Sequence, residues 1–175
     1  MSYSPIRTCP CNTTLADGFN QEEVSDDAYT IAKINLPADM FTRIKSNIHG
    51  PFGGYFTVME ITRNGDLQIV KHPLGSRINA IGDRDKWKLF VEGLHQKVPQ
   101  LVFLDYIYFL PSGGSGRQFV LLIINGEKLN ISAKRMMVDV FRKHFIDINV
   151  YEATIPELYV YDQIRCHISK GAAPP

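Results

Sequence analysis

The chain has 175 residues, 45% of them apolar, and a formal net charge of +1. That length suits one domain with a full core, and the composition is that of a globular protein rather than a disordered one. The near-zero charge excludes a global field steering the protein to nucleic acid or a membrane surface, so any electrostatic function rests on a local patch.

Residues 1–33 mix Ser, Thr, Asn and a Cys-Pro-Cys triplet with the acidic run NQEEVSDDAY. They read as an N-terminal extension, mobile and dispensable for folding. Cys9 and Cys11 resemble half a metal site, but zinc takes about four ligands and no paired Cys/His cluster follows. With Cys166 the cysteine count is odd, which fits a reducing compartment. The opening MSYSPIRTCPCNTT lacks the apolar segment of a signal peptide, and no apolar run reaches membrane-spanning length, so a cytoplasmic protein is expected.

The regular part is expected to span 34–170, with 171–175 as a short tail. LPADMFTRIKSN places Pro37 near a helix start and Met40, Phe41 and Ile44 on one side. YFTVMEI and LQIVKH flank Asn64-Gly65, a strong hairpin signal. DRDKWKLFVEGL predicts a helix capped by Asp83, its stripe formed by Trp87, Phe90, Val91 and Leu94. QLVFLDYIYFL and RQFVLLII are apolar on both alternate faces, apart from Asp105, and predict central strands covered on both sides. After a long helix and a short strand, INVYEA, comes TIPELYVYDQIRCHI. Thr154 and Glu157 match a capping box there, and Leu158, Tyr161, Ile164 and Ile168 form a stripe. The fold class is therefore α/β (α+β): one mixed central sheet with helices on both faces.

Catalytic patterns are missing. A strand follows SGGSG, whereas a phosphate loop needs helix N-terminal amides at that point. No Ser, Cys or His sits in a nucleophile motif, and the five histidines show no i,i+4 pair. Asp105 reads as an edge-exposed or hydrogen-bonded structural group before it reads as a perturbed acid. No cofactor or metal is expected, and a monomer is.

The long helix, NISAKRMMVDVFRKHF, is the one surface with a local character. At about 100° per residue, Ala133, Met137, Val140, Phe141 and Phe145 share an arc with Val138 at its border. Arg135, Asp139, Arg142 and Lys143 face the other way, with Met136 at the edge of that polar side. Lys134 lies near the apolar border, where its stem is expected to reach water. Such a face is usually just solvated. The functional reading is a docking face for an acidic partner, with methionine as an adaptable contact.

The order and spacing of these pieces, from roughly Leu36 to Ile168, resemble the actin-depolymerising-factor (ADF) homology domain, the family of ADF/cofilin, twinfilin, coactosin and glia maturation factor. YFTVMEITRNGDLQIVKH is similar to its opening hairpin, and DKWKLFVEGLHQKVPQLVFLDYIYFL to its helix and long central strand. AKRMMVDVFRKHF is similar to its actin-binding helix, and ATIPELYVYDQIRCHI to its closing turn and helix. The resemblance implies a gelsolin-like fold, a cytoskeletal location and actin, monomeric or filamentous, as partner, with no catalysis. It implies contact through Lys134, Arg135 and Met136, extended by Arg142 and Lys143, and through Ile155 and Glu157 at the closing turn. Arg117, Arg165 and Lys170 are the candidates for a second, filament-facing site. AKRMMVDVF keeps the basic residues and methionine of the cofilin helix but not its tyrosine, alanine and serines. The alternatives are another protein partner, such as an actin-related branch complex, and, more remotely, an unrelated small enzyme.

Overall fold

Strands that are apolar on both faces belong in the middle of a sheet, and they lie there. The computed structural model describes residues 29–47, 55–75, 84–109, 113–160 and 163–164. Strands β1 (Phe56–Ile61), β2 (Leu67–Val70), β3 (Gln100–Phe109), β4 (Ser115–Ile124) and β5 (Asn149–Ala153) form one sheet in the order β2-β1-β3-β4-β5. All neighbours pair antiparallel except β4 and β5, which are parallel. The sheet is thus mixed, as the sequence predicts. The β3–β4 ladder runs from Gln100↔Ile124 to Phe109↔Ser115, so β4 takes up two residues expected in the connecting loop, Ser115 and Gly116.

Helices α1 (Met40–Asn47), α2 (Arg84–Glu92), α3 (Ile131–His144) and α4 (Ile155–Leu158) complete the fold. Trp87, Phe90 and Val91 of α2 and Ile155 and Leu158 of α4 pack on the face carrying Val102, Leu104, Val120 and Leu122. Met40 and Ile44 of α1 and Met137, Val138 and Phe141 of α3 pack on the face carrying Leu101, Phe103, Leu121 and Ile123. Successive strand residues feed opposite cores, as the two-residue period requires. Fully burying side chains of this size contributes roughly 1.5–3 kcal/mol each.

Four expectations change in detail. The β1–β2 connection is a three-residue loop, Arg63-Asn64-Gly65. Gly65 N–H donates to Thr62 O (2.8 Å) and Thr62 N–H to Asp66 O (2.9 Å). Gly65 alone in that loop has a positive φ, +90°, and a Cβ there would strike the Lys33 carbonyl. That geometry needs glycine.

The packed chain reaches back past residue 34. Ile31 is 2% exposed, and it joins Leu129 in a parallel bridge. Its N–H donates to Lys128 O and its C=O accepts from Asn130 N–H, both at 2.8 Å. Of the residues expected to form the extension, 1–28 lie outside the described part.

The closing helix is shorter than its stripe implied. The capping box on Thr154 forms with both hydrogen bonds, but α4 ends at Leu158. Ile164 N–H then donates to Val160 O (3.2 Å), so helical bonding resumes nearby. Tyr161 and Ile168 lie outside the described residues, as does the predicted cap Asp83.

The buried arc of α3 is also turned relative to the even 100° wheel. Val138 is fully buried, Val140 only half-buried. The shift carries Lys134 inward.

Candidate functional site

α3 begins where β4 ends. After Ile124, Asn125 adopts a left-handed backbone (φ 57°) and a single 3-10 turn, Gly126–Lys128, leads to Asn130. The Asn130 side chain caps α3 by accepting from Ser132 N–H (2.8 Å), which satisfies one of the orphan donors of a helix start. β5 runs parallel to β4 and also ends here, at Ala153, just before Thr154 and α4. The start of α3 and the α4 turn therefore share one end of the sheet, α3 on one face and α4 on the other.

Lys134 ties the two together. Its Nζ donates to Glu152 Oε2 of β5 at 2.8 Å. Gly126 makes the room: a Cβ there would come within 2.5 Å of that carboxylate oxygen. Lys134 is only 9% exposed. The expectation that its stem reaches water is thus corrected, because the rotated arc aims it at β5 and an acid waits there.

The outward face is sharper for this. Arg135 is exposed, Met136 is 42% exposed and Ile131, at the first helical position, 65%. Arg142 is half-buried and Lys143 exposed. Basic residues in the last turn suit the negative end of the helix dipole. His144 stacks on Phe41 of α1, with centroids 3.8 Å apart and planes within 9°, and its Nδ1 accepts from Lys45 Nζ (3.3 Å).

Two other candidates are engaged inside the chain. Ile155 is buried under α4, so the expected contact by its side chain is corrected: the capping box turns it into the core. Glu157 N–H donates to Thr154 Oγ1 (3.4 Å), and its carboxylate accepts from Thr154 N–H (2.8 Å). Trp87 Nε1–H donates to Leu158 O (2.6 Å) and locks α4 to α2. Tyr159, 42% exposed, follows directly. Burial, then the nearby Glu92 charge, raises its phenol pKa above the ordinary value.

Arg117 sits at the far end of the sheet. Its Nε and a terminal nitrogen both donate to the Asp105 carboxylate at 2.6 Å, and the guanidinium lies over the Phe119 ring. This bidentate pair answers Asp105, which is fully buried inside an apolar strand. The hydrogen bond to Asp105 is the main cause raising the Arg117 pKa above its usual value. Arg165 and Lys170 lie outside the described residues.

A cavity of about 290 Å³ beside β1 and β2 is lined by Phe56, Thr57, Val58, Ile69, Val70, Lys71, His72 and Gly75. Both ring nitrogens of His72 are occupied: Nε2–H donates to Phe90 O (2.8 Å) and Nδ1 accepts from Leu74 N–H (3.0 Å). That histidine supports the fold and offers no free base. No described helix is long and apolar enough to cross a membrane.

No protein-family model matches the chain, and no curated protein matches it. Solved structures do resemble it. An actin depolymerization factor 2 from Plasmodium berghei aligns over 81% of this chain and 99% of its own, with a TM-score of 0.57 and 9% identity. The human coactosin-like protein aligns over 81% and 92%, with a TM-score of 0.51 and 9% identity. A cofilin from Streptomyces griseoflavus aligns over 79% and 98%, with a TM-score of 0.50 and 14% identity. Likeness at such identities speaks for the backbone alone, and the backbone of this chain has the ADF-homology fold.

Proposed function

We propose that this chain is a non-catalytic, cytoplasmic actin-binding protein of the cytoskeleton. Its contact surface is the outer face of the N-terminal half of α3 and the adjoining α4 turn. The observation that carries the reading is the pairing of Arg135 with exposed Met136 and Ile131 on that face. A cation there speeds encounter with an acidic protein, and the apolar side chains supply burial at the centre. The named likeness to an actin depolymerization factor supports actin as the protein concerned. Arg142 and Lys143 extend the face. Lys134 acts by holding α3 against β5, and Ile155 and Glu157 act by shaping the turn. Arg117, Arg165 and Lys170 form the proposed second surface toward a filament, with Arg117 already neutralised by Asp105.

Cosedimentation with filaments and titration of labelled monomer test the proposal. Binding in either assay that Arg135→Glu weakens supports it; no binding in both refutes it. A second reading is favoured by the internal use of Lys134 and Ile155, which leaves fewer expected contacts free. In it the same face binds a different protein, such as an actin-related branch complex. Capture of that complex by the native chain, abolished by Arg135→Glu, distinguishes the two.

A further inference from the structure

The fold sorts its thioethers by exposure. Met40, Met59 and Met137 are fully buried, all in the cluster that packs under α1 and α3. Met136 is 42% exposed, and among the described residues it is the one methionine that solvent reaches freely. Its position on α3 explains this. A long side chain in a helix leans toward the helix N-terminus, over the residue four earlier. For Met136 that residue is Ser132, which is small and itself exposed. Met137 leaves the helix about 100° further round and enters the core instead. Two adjacent sulfurs therefore meet opposite surroundings, and the open one stands on the proposed contact face beside Arg135.

We propose that Met136 is a reversible oxidation site whose sulfoxide switches the contact face off. The oxidant is a hydroperoxide. One of its oxygens is transferred to Sδ of Met136: an S–O bond forms, the O–O bond breaks, the sulfur loses two electrons, and hydrogen peroxide leaves as water. A thiol-dependent sulfoxide reductase reverses the step, supplying two electrons and two protons and releasing the oxygen as water. The product is a polar side chain where the contact needs an apolar centre. Docking would strip water from the sulfoxide oxygen, and an oxygen buried without a donor opposes association. Susceptibility follows exposure, so the fold keeps the oxidant from the three buried sulfurs, whose oxidation would disrupt the core. Oxidation at Met136 can thus end binding without unfolding the protein. The oxidation site stands on the chain's own geometry; the switch rests on the actin reading.

The test treats the full chain with dilute hydrogen peroxide and then with dithiothreitol, which reduces cysteine disulfides and leaves methionine sulfoxide in place. Peptide mass spectrometry should show Met136 gaining one oxygen at least about tenfold faster than Met40, Met59 or Met137. Oxidation of any of those three as fast as Met136 overturns the site. Thermal melts of the singly oxidised protein should match those of the untreated chain, and a lowered melting temperature overturns the separation of binding from folding. In the actin titration, oxidation should weaken binding about tenfold, and sulfoxide reductases for both sulfoxide epimers should restore it. Met136→Leu keeps an apolar side chain without the sulfur. Each protein is compared with itself before and after peroxide, so the variant's own starting affinity does not enter. Binding by Met136→Leu that peroxide leaves unchanged supports the switch. An equal loss in that variant gives the effect to other sulfurs and overturns the switch, as does a native chain that oxidation does not weaken. If the untreated chain does not bind actin, the actin reading and the switch fall together, while the mass spectra still decide the oxidation site.

Discussion

Lys134 and Arg135 leave α3 about 100° apart, and that angle decides what each does. Lys134 turns under the helix to Glu152, while Arg135 stands in water. Lys134→Ala would leave a carboxylate that is 28% exposed without its ammonium, at a cost of about 1–3 kcal/mol of stability. Arg135→Glu should cost no more than about 0.5 kcal/mol of stability. It should weaken partner binding at least about tenfold, roughly 1.4 kcal/mol, by turning attraction into repulsion. Denaturant melts alongside a binding titration separate the two effects. Loss of binding by Arg135→Glu together with loss of fold would refute the division.

His72 makes a second prediction at this scale. Burial lowers its pKa below the usual 6.5, with the Phe90 hydrogen bond opposing. Below about pH 6.5 the unfolded chain takes up the proton and the folded chain does not yet. His72 therefore contributes stability that is present above pH 6.5 and lost as pH falls through its lowered folded value. Thermal melts at pH 7.5 and 5.5 should show a larger acid loss for the native chain than for His72→Gln. Equal losses would mean that the imidazole is protonated in the fold.

Among the elements, the segment before α1 is the one whose boundary moved into the core. Lacking any helical stripe, residues 29–33 read as extension, yet Ile31, like Ile34 just after them, plugs the core beneath α3. Ile31→Ala should therefore cost about 2–4 kcal/mol. For a chain of this size the melting temperature should fall by about 2–4 °C per kcal/mol. A shift below about 2 °C would return these residues to the extension. Two apolar residues in an irregular strap have no period to detect, and the backbone bonds to Lys128 and Asn130 join positions almost 100 apart. By contrast, the central strands and α2 were legible because burial on both faces, or on one stripe, writes itself into a two- or 3.6-residue period. The α3 face was legible only to within the rotation of its arc. Met136 came out exposed as expected, but Lys134 did not, since nothing local announces Glu152 eighteen residues later or the space that Gly126 leaves for it. Thr154 and Glu157 were readable as a cap, whereas α4 ends at Leu158, whose carbonyl accepts from Trp87 Nε1–H, a long-range bond that no spacing records.

For the whole molecule, the arrangement keeps the core and the proposed contact face on opposite sides of one helix. Two clusters sandwich the sheet, and α3 belongs to one of them through Met137, Val138 and Phe141 while showing solvent Arg135 and Met136. Adjacent methionines then serve as a matched pair of probes with the same chemistry and opposite surroundings. Met137 is fully buried, so Met137→Ala opens a cavity and should cost about 2–5 kcal/mol of folding free energy. Any binding loss it shows should be no larger than its loss of folded protein. Met136→Ala removes a side chain that already meets water. It should change stability by no more than about 0.5 kcal/mol and reduce partner affinity by about 1–2 kcal/mol if it fills the centre of the contact. Chemical melts and a binding titration on both variants give four numbers, and the proposal requires the large ones on the diagonal. A Met136→Ala protein that binds like the native chain would mean that this face is ordinary solvated surface. The partner would then have to be sought on the Tyr159 side of the α4 turn or at the Arg117 end of the sheet.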